Sequence, residues 1–257
     1  MKYLTNKMNQ PRFGMLLTLA VSLLTTACTT VTVDKIKDKA DKTIDAIAVK
    51  TNIGQNPRDP LEGFNRAMFN FNDSVDQAVV KPVAQVYHDV LPSFVQTGIG
   101  NFFGNIGDIW SAFNSLLQGK GGDGVTGIMR VGLNTTFGLG GLLDIGSPAG
   151  LTKHKEDFGQ TLGYWGVRSG PYLVLPVLGP TTVRDALAEP VDFYGDAWSY
   201  YRPMYIRNTG SVVRLVDLRA GVLDAGSLIE DAALDKYVFI RDAYLQRRAN
   251  EIHPDDE

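Results

Sequence analysis

Apolar residues recur at helical spacing along most of the chain, which predicts a mostly helical protein. In the segment 60–78, Phe64, Met68, Phe71 and Val75 fall on one stripe of such a helix. Further helical patterns cover residues 82–91, 93–118, 123–135, 158–168, 182–189 and 205–216, and a last one follows Ser227. We find neither clear alternating strands nor a repeat of roughly 20–50 residues. The pattern therefore predicts one mostly α-helical domain.

Capping patterns and prolines predict where several of these helices begin and end. Ser93 with Gln96, and Ser227 with Glu230, have the spacing of a capping box at a helix start. Pro190 is expected to break the helix that begins near residue 182, because proline removes a backbone donor from a helix interior.

Glycine is unusually abundant in the middle of the chain. There are 27 glycines in 257 residues, and 20 of them lie between Gly98 and Gly179. Residues 136–147 are too rich in glycine for a stable helix, which predicts a hairpin or a mobile loop. Residues 171–180 carry proline at both ends and in the middle, which predicts extended or irregular backbone.

Residues 1–27 have the pattern of a secretory signal peptide. They contain three basic residues and no acidic one, and an apolar run of about ten residues precedes Thr25. Such a run is too short to span a bilayer, which needs roughly 20 apolar residues. The single cysteine, Cys28, directly follows small residues, so the segment resembles a bacterial lipoprotein signal in which this cysteine is acylated. Thr29 rather than Asp follows the cysteine, which by analogy with the enterobacterial sorting rule favours the outer membrane over the inner one. An ordinary signal peptide is the alternative.

The remaining chain divides into a tether, a domain and a tail. Residues 28–58 are predicted to be a lipidated N-terminus and tether, 59–250 a single helical domain, and 251–257 a polar tail. Within 34–47 of the tether, lysines and aspartates interleave, while apolar residues recur at spacings of four, four and three. This segment is either a solvated linker or a short amphipathic helix near the membrane.

The net charge and the distribution of charged residues exclude some classes of binding partner and favour others. The net charge of −3 excludes a generic basic nucleic-acid binder, and one cysteine excludes a disulfide framework. Between Val90 and Val183 only ten of 94 residues are charged, and Asp108 is the one charge from Val90 to Gly119. Helices without a polar face are either buried on all sides or exposed to an apolar medium. On a lipid-anchored protein, an exposed apolar belt would contact the membrane.

Motifs for enzyme chemistry are weak. Residues 122–127 fit the pattern G-x-G-x-x-G, but a helix precedes them, so a helix connection capped by Asp123 is the better interpretation. The run 154–157 is typical of a solvated loop in which Asp157 caps the next helix. A lipase would need Ser147 or Ser169 beside a histidine, and the spacing does not support it. We therefore predict no enzyme activity, no cofactor and no metal site.

Three sequence blocks resemble the MlaA family, also called VacJ, of outer-membrane phospholipid-transport lipoproteins. The blocks are Asp59–Asn72, Leu133–Asp144 and Phe158–Asp185, and their order and spacing agree with the family. The resemblance implies a ring-like helical domain with a central amphipathic channel, seated in the inner leaflet of the outer membrane. Such proteins remove phospholipids that have strayed into the outer leaflet, pass them to a periplasmic carrier protein, and associate with a trimeric porin. The alternative is a porin-associated structural lipoprotein with incidental lipid binding.

The same blocks supply candidate channel residues, since a lipid headgroup needs a polar path through hydrocarbon. The candidates for lining it are Phe64, Asn65, Phe69, Asn70, Asn72, Asn134, Arg184 and Asp185. Each asparagine has the alternative of a helix cap or turn hydrogen bond, and the Arg184–Asp185 pair that of a buried structural salt bridge. Gly138, Gly140 and Gly141, with Asp144, are expected to form a hairpin that gates the opening; a static tight turn is the alternative.

Overall fold

The computed structural model describes residues 56–252, and helices account for most of them. The elements are α1 Glu62–Val75, a π-helical turn Asp76–Val80, α2 Lys81–Val90, α3 Ser93–Leu117, α4 Gly121–Thr136, α5 Phe158–Tyr164, β1 Tyr172–Leu175, β2 Gly179–Thr182, α6 Val183–Gly195, a 3₁₀ turn Ala197–Tyr200, α7 Met204–Ala220, α8 Leu223–Ala232 and α9 Lys236–Ile252. The prediction of a mostly helical protein is confirmed. The predicted signal peptide, Cys28 and most of the tether lie outside the described residues.

The two strands form an antiparallel hairpin at a place where the sequence predicts only extended or irregular backbone. Tyr172 pairs with Thr182, and Leu175 pairs with Gly179, which leaves residues 176–178 as the turn. Prolines are tolerated here because both strands of a two-stranded sheet are edge strands. The hairpin predicted at 136–147 is wrong, since that segment is a series of turns without β-pairing.

Both predicted capping boxes are wrong. Ser93 is already the first residue of α3, and Gln96 donates to the carbonyl of Leu91 at 2.7 Å rather than back to the helix start. Ser227 and Glu230 lie inside α8, so they do not begin a helix. A capping-box spacing is short enough to recur inside a helix by chance, which explains the second error.

Pro190 does not break its helix. It lies inside α6, which continues for five more residues to Gly195. The fixed φ of proline is compatible with helical backbone, and a single proline removes only one intrahelical hydrogen bond.

The apolar stripe predicted on α1 is only half correct, because the helix exists but turns another face to the core. Phe64 and Phe71 are exposed at 45% and 48%, whereas Asn65 is completely buried. Met68 packs against the apolar cluster around Tyr172. Spacing alone identifies the helix, but the position of its neighbours decides which face is covered.

Helices α3 and α4 pack with very close backbone approach. A Cβ at Gly127 would lie 2.8 Å from the Cβ of Ala112, and one at Gly124 would lie 2.5 Å from the Leu116 side chain. The G-x-G-x-x-G pattern therefore serves helix packing, which agrees with rejecting a nucleotide site. Asp123 lies in the first turn of α4 and Lys120 is the N-cap, so the predicted cap at Asp123 is wrong.

Helix α3 buries polar residues and exposes apolar ones. Its buried polar side chains are Asn105, Asp108, Ser111, Asn114 and Ser115. On the other side Ile109, Phe113 and Leu116 are each 45–47% exposed. The interior groups are hydrogen-bonded in part across to α5, where Thr161 donates to Asn114 at 2.8 Å. This arrangement is the reverse of the usual amphipathic helix in a soluble protein.

The same inversion holds for residues 56–252 as a whole. Fourteen hydrophobic side chains are buried, against eighteen polar or charged ones, while thirty-seven large hydrophobic side chains are exposed. No helix in this part of the chain has the length and apolar character needed to cross a bilayer. The exposed apolar surface is much larger than scattered single residues would give on a water-soluble domain.

Buried ionic groups tie distant segments together. Asp59 is completely buried, and its Oδ2 binds the Tyr237 hydroxyl and the Arg241 guanidinium, which lie on α9. Within residues 56–252, the apolar core is divided into three small clusters, centred on Val183, Ala84 and Tyr172. The fold therefore depends on polar contacts as much as on apolar packing.

Candidate functional site

A cavity of about 860 Å³ opens between α1, the hairpin, α7, α8 and α9. One side of its wall is aliphatic and includes Val75, Leu178, Leu215, Leu218 and Ile229. Cavities of this size, with an apolar wall and a few placed polar groups, are typical of binding sites for small molecules.

An ion pair between the π-helical turn and α7 lies in this wall. Arg219 donates two hydrogen bonds to the carboxylate of Asp76, each 2.8 Å long. The hydrogen bond to Asp76 raises the pKa of Arg219 above its ordinary value, so the guanidinium stays charged. The planar, bidentate geometry fixes the direction in which both groups face the cavity.

A second charged group joins α1, α2, α8 and α9. The ammonium of Lys236 lies 2.5 Å from Asp73 and 3.6 Å from Glu230. Glu230 also accepts from Lys81 at 3.0 Å, and this hydrogen bond lowers the pKa of Glu230. Together with the pair on α7, three positive and three negative side chains balance one another. The cavity thus combines an aliphatic wall with paired charges of both signs.

The tip of the hairpin belongs to the aliphatic wall and has a strained backbone. Val177 has a φ of +68°, in the left-handed region that β-branched residues disfavour. The N–H of Leu178 donates to the carbonyl of Pro176 at 2.8 Å, which closes a three-residue γ-turn. Asn72 holds this turn from α1, because its side chain accepts from Val177 N–H at 2.8 Å and donates to the Leu175 carbonyl at 2.9 Å.

Five of the predicted channel residues lie on α1, and two of them line this cavity. Phe69 and Asn72 line the wall, and the Phe69 ring packs edge-on against Tyr237 at a centroid distance of 5.6 Å. Phe64 and Asn70 lie on the same helix but are exposed and contribute to other surface.

Asn65 joins three segments of the fold. Its side-chain amide donates to Asp59 at 2.8 Å and to the carbonyl of Tyr172 at 3.0 Å, and its oxygen accepts from Val174 N–H at 2.9 Å. These hydrogen bonds fix the hairpin against α1, and they engage both the oxygen and the nitrogen of the Asn65 side chain.

Asn134 fixes the glycine-rich loop on α4. Its oxygen accepts from the N–H groups of Ile145 and Gly146 at 2.7 and 2.9 Å, and its amide donates to Asp144 at 3.3 Å. These contacts match the turn hydrogen bond that the sequence leaves open as the alternative for this residue.

The predicted gating glycines lie in compact turns. Gly140 and Gly141 have φ values of +73° and +97°, which other residues rarely adopt. A Cβ at Gly138 would lie 2.2 Å from the carbonyl oxygen of Leu143, so only glycine fits there. Repeated left-handed backbone prevents a regular β-ladder, which explains why this segment is not a hairpin.

Asp144 connects the loop to a buried arginine. Arg130, only 1% exposed, donates two hydrogen bonds of 3.0 Å to the Asp144 carboxylate and one to Ser147. Burial raises the pKa of Asp144, but hydrogen bonds from Ser147 and Arg130 outweigh it and lower the pKa to about 2. The carboxylate is therefore charged at neutral pH and secures the loop.

Arg184 and Asp185 belong to a buried network at the junction of α5, α6 and α9. Arg184 donates to Asp185 at 2.9 Å, and Arg248 donates to the other carboxylate oxygen at 3.0 Å. Arg248 also binds Asp157 through hydrogen bonds of 2.6 and 2.7 Å. This geometry is that of a structural salt bridge.

Sequence reasoning missed the charged residues of the cavity. Arg219 lies 143 residues after Asp76, and Lys236 lies 163 residues after Asp73, so no local pattern joins these partners. The spacing of Asp73 and Asp76 is the one usable signal, because residues three apart share a helix face.

The other chemistry considered from the sequence has little geometric support. Asp157 caps α5 as predicted, since its carboxylate accepts from Gln160 N–H at 2.8 Å. Ser147, a candidate lipase nucleophile, donates to the carboxylate of Asp144 at 2.6 Å, whereas the lipase hypothesis calls for a histidine as its partner. Across residues 56–252, no group of three His, Cys, Asp or Glu side chains is arranged to hold a metal ion.

Comparisons with known proteins agree on one family. A family model described as MlaA lipoprotein matches residues 57–251. The intermembrane phospholipid transport system lipoprotein MlaA of Escherichia coli (strain K12) is 36% identical over 198 residues, covering 75% of this chain and 78% of that protein. The protein of the same name from Haemophilus influenzae is 34% identical over 194 residues, covering 73% and 76%. A solved structure from work on the structural basis for maintenance of bacterial outer membrane lipid asymmetry has a TM-score of 0.67 at 36% identity, covering 76% of this chain and 99% of that chain.

Proposed function

Because the chain belongs to the MlaA lipoprotein family, we propose that it removes mislocalised phospholipids from the outer leaflet of the outer membrane. The lipid passes through an amphipathic channel to a periplasmic carrier protein, which maintains the lipid asymmetry of the membrane. Phospholipid transport is the activity named for the relatives from Escherichia coli and Haemophilus influenzae.

The observation that carries this proposal is the cavity with an aliphatic wall and paired charges. A phospholipid has the same division, since its tails are apolar and its headgroup is charged. Moving a charged headgroup through hydrocarbon is costly unless polar groups accompany it. The pairs Asp76–Arg219 and Asp73–Lys236 offer partners of both signs to a headgroup, while Leu215 and Leu218 face the tails.

Balanced charges suit passage better than tight capture. A cationic side chain without its own carboxylate would hold a phosphate strongly, whereas Arg219 and Lys236 already have carboxylate partners. A headgroup phosphate that binds Arg219 or Lys236 must replace a carboxylate that already binds it. The net gain in free energy on binding is therefore small, and the headgroup can leave as easily as it enters. We therefore propose passive movement, with direction set by the proteins that deliver and accept the lipid.

The inverted surface supports a place in the inner leaflet of the outer membrane. The exposed apolar sides of α3 and α4, including Phe113, Leu116, Ile128 and Met129, would meet lipid tails. Acyl chains on Cys28 would hold the protein there, because each buried methylene contributes ~0.8 kcal/mol. The proposed partners are phospholipid, the membrane, a trimeric porin and a periplasmic carrier.

The test measures outer-leaflet phospholipid in cells that lack this protein, after adding back wild type or variants. Gly226 lines the cavity, and a Cβ there would lie 3.6 Å from the nearest atom, of Arg219, so Gly226→Phe fills the cavity without a backbone clash. Gly132 on α4 has open space around it, and Gly132→Phe is the matched control. Cys28→Ala tests the anchor.

We expect deletion to raise outer-leaflet phospholipid, and wild type and Gly132→Phe to reverse the rise. Gly226→Phe and Cys28→Ala should fail to reverse it. Full reversal by Gly226→Phe would contradict a path through this cavity. An unchanged outer leaflet after deletion would contradict transport itself and favour the alternative of a porin-associated structural lipoprotein.

A further inference from the structure

Each cationic side chain in the wall of the cavity between α1, the hairpin, α7, α8 and α9 has a carboxylate partner of its own. The pairs are Arg219–Asp76, Lys236–Asp73 and Arg247–Glu251. The side chains of the first two pairs are 17–29% exposed, so a ligand can reach both members of each pair. A phosphate that enters the cavity must therefore displace a carboxylate from its cation.

The acidic groups of the wall already hold a primary ammonium. The Lys236 ammonium lies 2.5 Å from Asp73 and 3.6 Å from Glu230, and Glu230 also accepts from Lys81 at 3.0 Å. An ethanolamine headgroup ends in the same chemical group as a lysine side chain, with three N–H donors. Carboxylates that bind these lysines therefore suit the ammonium of that headgroup.

The basic side of the wall suits a phosphate. Arg219 donates through Nε and Nη2 to the two carboxylate oxygens of Asp76, each at 2.8 Å. The same planar fork of donors matches two oxygens of a phosphate group. Arg219 can therefore exchange the Asp76 carboxylate for a phosphate without losing either hydrogen bond.

The acidic and basic groups form one electrostatic site. Asp73 and Asp76 are three positions apart and share one side of the helix, which brings their cations together. The hydrogen bond to Asp76 raises the pKa of Arg219, and the charges of Asp76, Glu230 and Asp73 raise it further, against the effect of burial. Arg219 thus feels the carboxylates around Lys236 as well as its own partner, and one headgroup can meet both charge signs.

Counting ion pairs separates zwitterionic from anionic headgroups. A zwitterionic headgroup replaces both members of a pair, since its phosphate binds Arg219 while its ammonium binds the carboxylate that the phosphate displaced. An anionic headgroup brings only the phosphate, so the displaced carboxylate is left without a cation and beside a second negative charge. A part-buried carboxylate that loses its partner is unfavourable, and a neighbouring like charge adds to the cost.

We propose that the ion pairs of this cavity select phospholipids with a zwitterionic headgroup, such as phosphatidylethanolamine, over anionic ones, such as phosphatidylglycerol. This selection rests on the proposed function, which takes the cavity as the phospholipid site. Asp73, Asp76 and Glu230 receive the headgroup ammonium, and Arg219 and Lys236 receive the phosphate.

The experiment measures which lipid the protein retains. The full-length protein is immobilised in detergent, incubated with equal amounts of phosphatidylethanolamine and phosphatidylglycerol that have identical acyl chains, and washed. The retained lipids are extracted and quantified by mass spectrometry. Gly226→Phe, which fills the cavity, gives the lipid held elsewhere, and this amount is subtracted.

Two variants change the charge balance in opposite directions. Asp76→Asn leaves Arg219 without its carboxylate, and Lys236→Gln leaves Asp73 without its ammonium. Asp196→Asn is the matched control, because Asp196 pairs with Arg214 of α7 at 2.6 Å outside the cavity wall. The Asp196 and Asp76 side chains are both 26% exposed, and an asparagine oxygen can still accept from Trp198 N–H as Asp196 does.

We expect wild type and Asp196→Asn to retain at least about threefold more phosphatidylethanolamine than phosphatidylglycerol, as part-exposed ion pairs allow. Asp76→Asn should lower this ratio to about one or less, because the freed Arg219 binds an anionic headgroup without displacing a partner. Lys236→Gln should raise the ratio at least about twofold, because the unpaired Asp73 repels anionic lipid. A general loss of fold would not move the two variants in opposite directions.

A ratio of about one in wild type would overturn the selection and leave the passage of phospholipid intact. The same ratio in wild type and both cavity variants, or shifts of both variants in one direction, would overturn it too. Equal total lipid on wild type and Gly226→Phe would contradict the cavity as the phospholipid site, and the proposed path and the selection would fail together.

Discussion

The helix pair α3–α4 buries mainly polar side chains, whereas the unit formed by α1, the hairpin and α9 buries an apolar cluster beside its ionic groups. The inner face of α3 carries amides, hydroxyls and Asp108, while Phe113 and Leu116 face outward. In the other unit, Tyr172 and Val174 form a buried apolar cluster with Tyr237 of α9. One chain therefore contains two regions in which burial follows different rules.

The proposed function accounts for the difference by the medium that each region would face. In water, apolar groups gain by leaving the solvent, which explains the cluster around Tyr172. In hydrocarbon that gain is absent, and helices associate through small residues and polar contacts. The close contact between Gly127 and Ala112, next to the polar inner face of α3, is an association through small residues and polar groups of this kind. Under the proposed function, the comparison therefore separates a side expected to face lipid tails from a side expected to face water.

The largest expected effect is in the buried ionic network that includes α9. Arg248→Leu leaves the buried Asp185 with Arg184 alone and removes the arginine from the part-exposed Asp157, so we expect a loss of about 3 kcal/mol in the free energy of unfolding. Denaturant unfolding measures it. Arg247→Leu is the control, because that side chain is 66% exposed and has a surface ion pair with Glu251 and a ring contact with Tyr244; it should change stability by less than about 1 kcal/mol. Equal losses would show that the buried network is not decisive.

The next effect is in the contact between α3 and α4. Gly127→Leu forces a side chain against Ala112, and we expect a cost of about 1–3 kcal/mol from overpacking. Gly132→Ala, on the open side of α4, should be neutral or stabilise by up to about 1 kcal/mol. Thermal unfolding of both variants in the same detergent measures the contrast. Stability unchanged by Gly127→Leu would mean that the two helices do not need close approach.

A surface substitution tests which region meets lipid. In the Cys28→Ala protein, Phe113→Lys should lower flotation with liposomes about tenfold, because burying one large apolar side chain contributes ~1.5–3 kcal/mol. Leu234→Lys is the control, since Leu234 is fully exposed but belongs to the connection before α9. An equal loss of flotation in both variants would show that Phe113 contributes no more to membrane binding than Leu234 does.

The smallest expected effect is the pH dependence of the loop contact. The pKa of Asp144 is lowered from 3.8 to about 2, so its contribution is complete above pH 3.8 and is lost as the pH falls through about 2. Asp144→Asn should remove this part of the acid sensitivity. Denaturant midpoints of wild type and variant, compared at pH 5 and near pH 2, should converge at the lower pH. A constant difference would assign the acid sensitivity to other carboxylates.

The parts of the fold that depend on local sequence are predictable. The helical spacing of apolar residues locates α1 and α7, and Asp157 is a local cap that needs only the residue three positions on. The faces of the helices are not predictable in the same way. Phe64 and Phe71 form an apolar stripe, yet Asn65 is the buried residue because Asp59 and the hairpin provide its hydrogen bonds.

The candidate site is less predictable than the fold because its contacts are long-range. Asn72, predicted to line a lipid channel, lies in the cavity wall, and it is close in sequence to Asp73 and Asp76. Their cationic partners come from α7 and α9, and a single sequence offers no signal that brings these helices to α1. The strained turn at Val177 is also invisible in sequence, since valine gives no reason to expect a left-handed backbone.

The buried carboxylate of Asp59 makes the order of synthesis matter. Its partners Tyr237 and Arg241 are added 178 and 182 residues later. A chain grows from its N-terminus, so the first residues of the domain cannot reach their native surroundings until the last helix has been made. A chain that stops before α9 leaves Asp59 without Arg241 and Asp185 with Arg184 but without Arg248, and a buried acid that lacks its ionic partner is costly. Only a chain that includes α9 can therefore form the native structure. A chain truncated before α9 is expected to stay unfolded.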